Sequence, residues 1–157
     1  MLAPMTAAAH SDTALGDWYV NRLVVNRRPL LLLVSSTSLL PILLPARDAR
    51  TLPNRLAEVV AERLARLGIA SSLIRAETSV MSQVHIDVTI DRSVLGIMVD
   101  FAKAVPHFLD VGAWDEAWLR MVEDRLSERP CHARKGLDRL IFPHKKTSEL
   151  LAQKWAD

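Results

Sequence analysis

Residues 18–46 read WYVNRLVVNRRPLLLLVSSTSLLPILLPA, and the alternation of apolar runs with turn residues in this stretch decides the fold. Trp18 to Val25 is rich in β-formers, and Asn26-Arg27-Arg28-Pro29 supplies a turn. Leu30 to Val34 is a short run without a polar residue, the pattern of a central strand buried on both faces. Ser35 to Ser38 turns the chain into Leu39–Leu44, where Pro41 has no N–H to give to a ladder and so places this strand at a sheet edge. The stretch predicts a three-strand meander.

The pattern changes period on the C-terminal side. Leu56, Val59, Val60, Leu64 and Leu67 make one apolar stripe, with Thr51 to cap the helix, Pro53 in its first turn and Gly68 to end it. Arg55, Glu58, Glu62 and Arg66 point away from that stripe, which makes Glu58 and Glu62 surface charges rather than paired catalytic acids. Ser71 to Ser82 carries no clear period. Val84, Ile86, Val88 and Ile90 then alternate with His85, Asp87 and Thr89, as a half-buried strand does. A right-handed crossover would lay this strand parallel to the first and beside it, giving the order 3-2-1-4. Asp91 or Ser93 caps a second helix that carries Val94, Ile97, Met98, Phe101, Val105 and Phe108 on one face, with Gly96 expected where helix and sheet approach closely. A third helix starts near Ala113 with Trp114, Trp118, Val122 and Leu126, and a short last helix opens at Thr147 or Ser148 and runs through Trp155. The fold expected is α+β, a small mixed or antiparallel four-stranded sheet packed against three to four helices. Residues 1–15 read as a flexible N-terminal tail and residues 16–157 as a single domain.

Composition narrows the setting. Half of the 157 residues are hydrophobic and 24% are charged, which suits a packed globular chain. The apolar run Leu30–Leu44 is broken by four hydroxyl residues and a proline, and it falls short of the roughly 20 residues that a membrane helix needs. Met1 to His10 has no Lys or Arg, so it lacks the charged start of an export signal. The single cysteine, Cys131, excludes an internal disulfide and makes a reducing, cytoplasmic setting the default.

Candidate chemistry is sparse. His85 and Asp87 share one side of a strand, and such a pair can supply two metal ligands or a base with its orienting acid. An exposed polar face is the favoured reading of the pair, and no third ligand stands out. Ser93, at a helix start, caps backbone amides; with Arg92 the same amides can hold an anion. Cys131 lies among Arg129, His132, Arg134 and Lys135, a setting that can activate a thiol, but a packed, unreactive thiol is the favoured reading. Net charge is only +2, but it is uneven. Arg134, Lys135, Arg139, Lys145 and Lys146 form one basic cluster and Arg22, Arg27 and Arg28 a second; either suits phosphates or an acidic partner. Neither cluster carries interleaved aromatics, and the chain has no helix-turn-helix, zinc or RNP signature. No cofactor or metal is implied.

Trp18 and Asn21 in the first strand, the basic hairpin, and Arg92-Ser93-Val94-Leu95-Gly96 with Met98 and Asp100 resemble a small bacterial family of unknown function. Pro130-Cys131 and the Thr147–Leu151 segment fit the same pattern. The resemblance implies free-standing proteins, or domains appended to proteins of plasmids and transposons, and it brings no activity with it. Ile97 and Val99 stand where relatives are more polar. The sequence therefore favours a non-catalytic binding or regulatory domain acting through contacts with a protein partner or a second copy. The alternatives are a nucleic-acid-binding accessory protein using the basic clusters, and a small enzyme with its site near His85, Asp87 and Arg92.

Overall fold

The computed structural model describes residues 5–9, 12–81, 84–88, 91–108, 115–132 and 140–156, with only the backbone for 5–9 and 84–88. The meander is present as expected. Strands β2 (Trp18–Val25), β3 (Arg28–Ser35) and β4 (Pro41–Pro45) pair antiparallel in sequence order. The sheet then continues past β2 through β1 (Met5–Ala9) and β5 (Val84–Val88), giving the order β4-β3-β2-β1-β5.

Two expectations are corrected by this order. The sheet has five strands rather than four, because Met5–Ala9 is a strand and not part of a tail. It pairs antiparallel with β2 on one side and with β5 on the other. β5 therefore does run parallel to β2, yet the two never pair, and every neighbouring pair in the sheet is antiparallel. Farther along, Ala14 and Leu15 are buried. The physical reason is the Glu77 carboxylate, which accepts the amides of Ala14 at 2.8 Å and Leu15 at 3.0 Å and ties this segment down.

Side chains alternate across the sheet and build one core on each face. Tyr19, Leu23, Val25, Leu30, Leu32, Val34 and Leu43 face α3 (Arg92–Ala104) and α4 (Glu116–Ser127). Trp18, Leu31, Leu33, Leu40 and Ile42 face α1 (Leu52–Arg66) and Leu151 of α5 (Pro143–Trp155). α2 (Ser71–Ser79), the segment without a clear period, lays Ile74 against this second core. Val94, Ile97, Met98, Phe101 and Val105 are all buried, as their spacing predicts. The side chains of Val84, Ile86 and Val88, and all of Ile90 and Trp114, lie outside the described residues.

Several helix ends differ from expectation. Thr51 makes no capping bond, because the 3-10 turn Ala46–Arg50 leads straight into α1 and its hydroxyl bonds back to the Asp48 carbonyl. Gly68 ends α1 as predicted, at φ +80°, with the Ile69 amide bonded to the Leu64 carbonyl and the Gly68 amide to that of Ala65. Asp91, not Ser93, caps α3; its Oδ1 accepts the amides of Ser93 at 2.9 Å and Val94 at 3.4 Å. Asp115 caps α4 at the Trp118 amide. α5 begins at Pro143, a turn before Thr147, whose hydroxyl bonds back to the Pro143 carbonyl inside the helix. Gly96 is exposed, and a Cβ built there meets nothing within 4 Å, so close packing is not its role.

Candidate functional site

The described residues of the two basic clusters fall at two places. Leu30 pairs with Pro45 and Val34 with Pro41, so the β2–β3 hairpin lies at the Pro45 end of the sheet and Ser35–Ser38 at the Pro41 end. α5 starts at the Pro41 end. His144 Nδ1 donates to the Ser127 carbonyl at 2.8 Å, and Arg63 joins the Ser127 hydroxyl to the Pro41 carbonyl. Arg27 and Arg28 are thus separated from Lys145 and Lys146 by about the length of α4, roughly 18 Å for its twelve residues. Lys145 lies over the Phe142 ring, and Lys146 pairs with Glu149 at 3.9 Å. Arg134, Lys135 and Arg139 lie outside the described residues.

The hairpin end is open. Only Asn26 and Arg27 form the turn, at φ 51° and 67°, while Arg28 and Pro29 already belong to β3. Two successive residues with positive φ make the turn that suits a two-residue hairpin, and glycine is the usual occupant of its second position. Val24 is 62% exposed and pairs across the ladder with exposed Pro29. Arg22 is exposed on the same side of β2, two residues away. Arg22, Val24, Pro29 and Arg27 therefore form an uncovered patch with an apolar centre and a cationic border.

Among the described residues the other candidates form no common site. His85 and Asp87 lie on β5 opposite Ala8 and Thr6, and their side chains are outside the described residues. Among the described residues no group of three His, Cys, Asp or Glu is placed to hold a metal ion. Arg92 is exposed at the start of α3, and the nearby Ser93 and Val94 amides are occupied by Asp91. Cys131 is buried in a bridge with Ile141. Burial pushes its thiol up to about 11; Arg129 opposes that shift and Asp100 adds to it, so the thiol stays protonated near neutral pH. Among the described residues Trp18 Nε1 and Asn21 Oδ1 are buried without hydrogen-bond partners, but three residues along a strand put them on opposite faces of the sheet.

Sequence reasoning missed the buried charges. Arg63 and Glu123 are both fully buried and close over the edge of β4. Glu123 Oε2 accepts the Leu43 amide at 3.0 Å, and its Oε1 accepts from Arg66 at 2.8 Å. Arg63 Nε donates to the Pro41 carbonyl at 3.3 Å, and its Nη1 meets Asp124 at 3.2 Å. Burial lowers the Arg63 pKa and raises that of Glu123, and each partner counteracts the other's shift. Positions 41, 43 and 45 point their backbone groups outward together. Prolines occupy two of them and Glu123 takes the Leu43 amide, so this edge offers no free N–H to an added strand. A signal was present: Arg63 sits within the apolar stripe of α1, next to Leu64 and three residues after Val60.

A cleft of about 610 Å³ opens beside this network, lined by Arg28, Arg47, Arg55, Arg66 and Arg120 together with an equal number of acids. Its balanced charge selects neither an anion nor a cation. A family model described as a domain of unknown function (DUF6933) matches residues 2–146. No curated protein and no solved structure matches the chain.

Proposed function

The chain belongs to the DUF6933 family, and from that premise we propose that it is a non-catalytic binding domain that meets an acidic protein partner with the β2–β3 hairpin. The observation that carries this reading is Val24, 62% exposed and bordered by exposed Arg22 and Arg27. Interfaces concentrate their energy in apolar centres and arginines, and a cationic border steers an acidic partner. The buried Glu77, Arg63 and Glu123 serve the fold instead, since their polar atoms are engaged by backbone and side-chain partners. Residues 16–157 act with strand β1 as one domain. The buried thiol of Cys131 suits a reducing cytoplasm, and the motif resemblance adds a bacterial setting among plasmid and transposon proteins.

Nucleic acid is the competing partner, since Arg22, Arg27 and Arg28 are all exposed. The separation of Arg27 and Arg28 from Lys145 and Lys146 favours protein over a phosphate track. Anisotropy of a labelled Glu/Leu peptide and of random duplex DNA, at low and moderate salt, distinguishes them. The peptide is expected to bind and to be released by Val24→Asp, whereas DNA binds weakly, falls steeply with salt and ignores that substitution. Salt-resistant, sequence-selective DNA binding, or peptide binding indifferent to Val24→Asp, overturns the reading.

A further inference from the structure

A second hollow, of about 310 Å³, lies between the C-terminal half of α3 and the Arg129–His132 segment. Its floor is apolar, made by Ile97 and Phe101 of the α3 core face together with buried Cys131. Its rim carries Lys103, His107, Arg129 and His132, all exposed, against Asp100 as the one acid among the described residues that line it. Arg129 and Asp100 both act electrostatically on the Cys131 thiol, so cation and carboxylate face the same space. Among the described residues neither Lys103 nor Arg129 has an ion-pair partner. This hollow therefore differs from the edge cleft, where cations and acids are equal in number.

We propose that this hollow binds a small sugar phosphate. Lys103 and Arg129 match the charge of a phosphate group, for which a guanidinium provides paired donors, and the two imidazoles add ring nitrogens that can hydrogen-bond to it. Asp100 accepts hydrogen bonds, the role a carboxylate plays toward sugar hydroxyls. The volume lies at the lower end of ligand pockets, about 300–1,000 Å³, which restricts the guest to a metabolite of a few carbons. The site is independent of the hairpin, so either reading can fail without the other.

Calorimetric titration of the full chain with ribose 5-phosphate, ribose and inorganic phosphate tests this. Ribose 5-phosphate is expected to bind, phosphate to bind more weakly, and ribose not to bind. Lys103→Ala with Arg129→Ala, both at exposed positions, should weaken ribose 5-phosphate about tenfold or more for each cation removed. Asp100→Asn should weaken ribose 5-phosphate but leave phosphate unchanged or tighter, and Val24→Asp should change neither. Absence of ribose 5-phosphate binding at millimolar concentration, or binding that the double variant leaves intact, overturns the proposal.

Discussion

The β3–β4 connection and the β2–β3 hairpin close the same meander at opposite ends, and they are held in different ways. At the first, Ser35 Oγ donates to the Leu15 carbonyl at 2.6 Å and accepts the Ser38 amide, while Thr37 Oγ1 reaches the Ala14 carbonyl at 2.9 Å. Ser36 Oγ accepts the Asp17 amide at 2.9 Å. The neighbouring edge is closed by Arg63 and Glu123. At the hairpin, by contrast, Asn26, Arg27, Arg28 and Pro29 are all exposed, and a non-glycine residue is held at φ 67°. One end uses its polar groups to hold the fold. The other leaves Asn26 and Arg27 exposed at the turn.

The largest effect should come from breaking the tied end. Glu123→Ala leaves the Leu43 amide and the Arg63 guanidinium buried without this acceptor, and should cost about 3–5 kcal/mol in denaturant unfolding. Its pH dependence follows from the raised pKa. A carboxyl whose folded pKa exceeds its unfolded value contributes stability that is complete below the unfolded value and is lost as pH rises through the folded one. Lowering the pH from 7 should therefore raise the stability of the chain with Glu123 relative to a Glu123→Gln variant, and never lower it. A cost below 1 kcal/mol for Glu123→Ala would show that the edge is held by packing alone.

Gly16 tests the same end with a smaller expected cost. It has φ +66°, and a Cβ there would clash with Ser36 Oγ and lie 2.9 Å from Thr37 Cγ2. Ser36 cannot swing away without releasing the Asp17 amide. Gly16→Ala should destabilise by about 2 kcal/mol, combining backbone strain with the loss of that hydrogen bond. A matched Gly68→Ala control, with nothing within 4 Å of its Cβ, isolates the conformational part at the end of α1.

What the sequence disclosed and what it hid follow the same physical line. The meander and the buried face of α3 were legible because their apolar residues repeat at the period of the element they form. Met5–Ala9 carries no such repeat: it is Met-Thr-Ala-Ala-Ala, a strand only because β2 and β5 offer it backbone partners on both sides. Gly96 suggested close packing, yet it faces solvent, because a motif glycine does not reveal which side of a helix it occupies. Arg63, Glu77 and Glu123 were assigned no site role, because charge marks a surface residue unless a distant partner is known. Their partners are 80 residues away for Glu123 with Leu43, and 63 for Glu77 with Ala14. Of the candidate site, Arg22, Arg27 and Arg28 were visible as charges, but the exposure of Val24 depends on where the helices stop covering β2.

The smallest change bears most directly on the open end. Glycine at position 27 would relieve the left-handed backbone strain, about 1–2 kcal/mol for an ordinary residue, and return part of that gain as entropy of the unfolded chain. Arg27→Gly should therefore raise stability by about 0.5–1 kcal/mol while weakening acidic-peptide binding several-fold. Arg27→Lys keeps both the strain and the charge, so stability and most of the binding should stay as they are. Arg27→Asn separates the two terms, since asparagine tolerates the conformation but carries no charge. Thermal unfolding and peptide anisotropy on the three variants give the answer together. If Arg27→Gly stabilises the protein and leaves peptide binding untouched, Arg27 has no part in docking. If it destabilises, the arginine side chain holds the turn, and the hairpin resembles the tied end more than its exposure suggests.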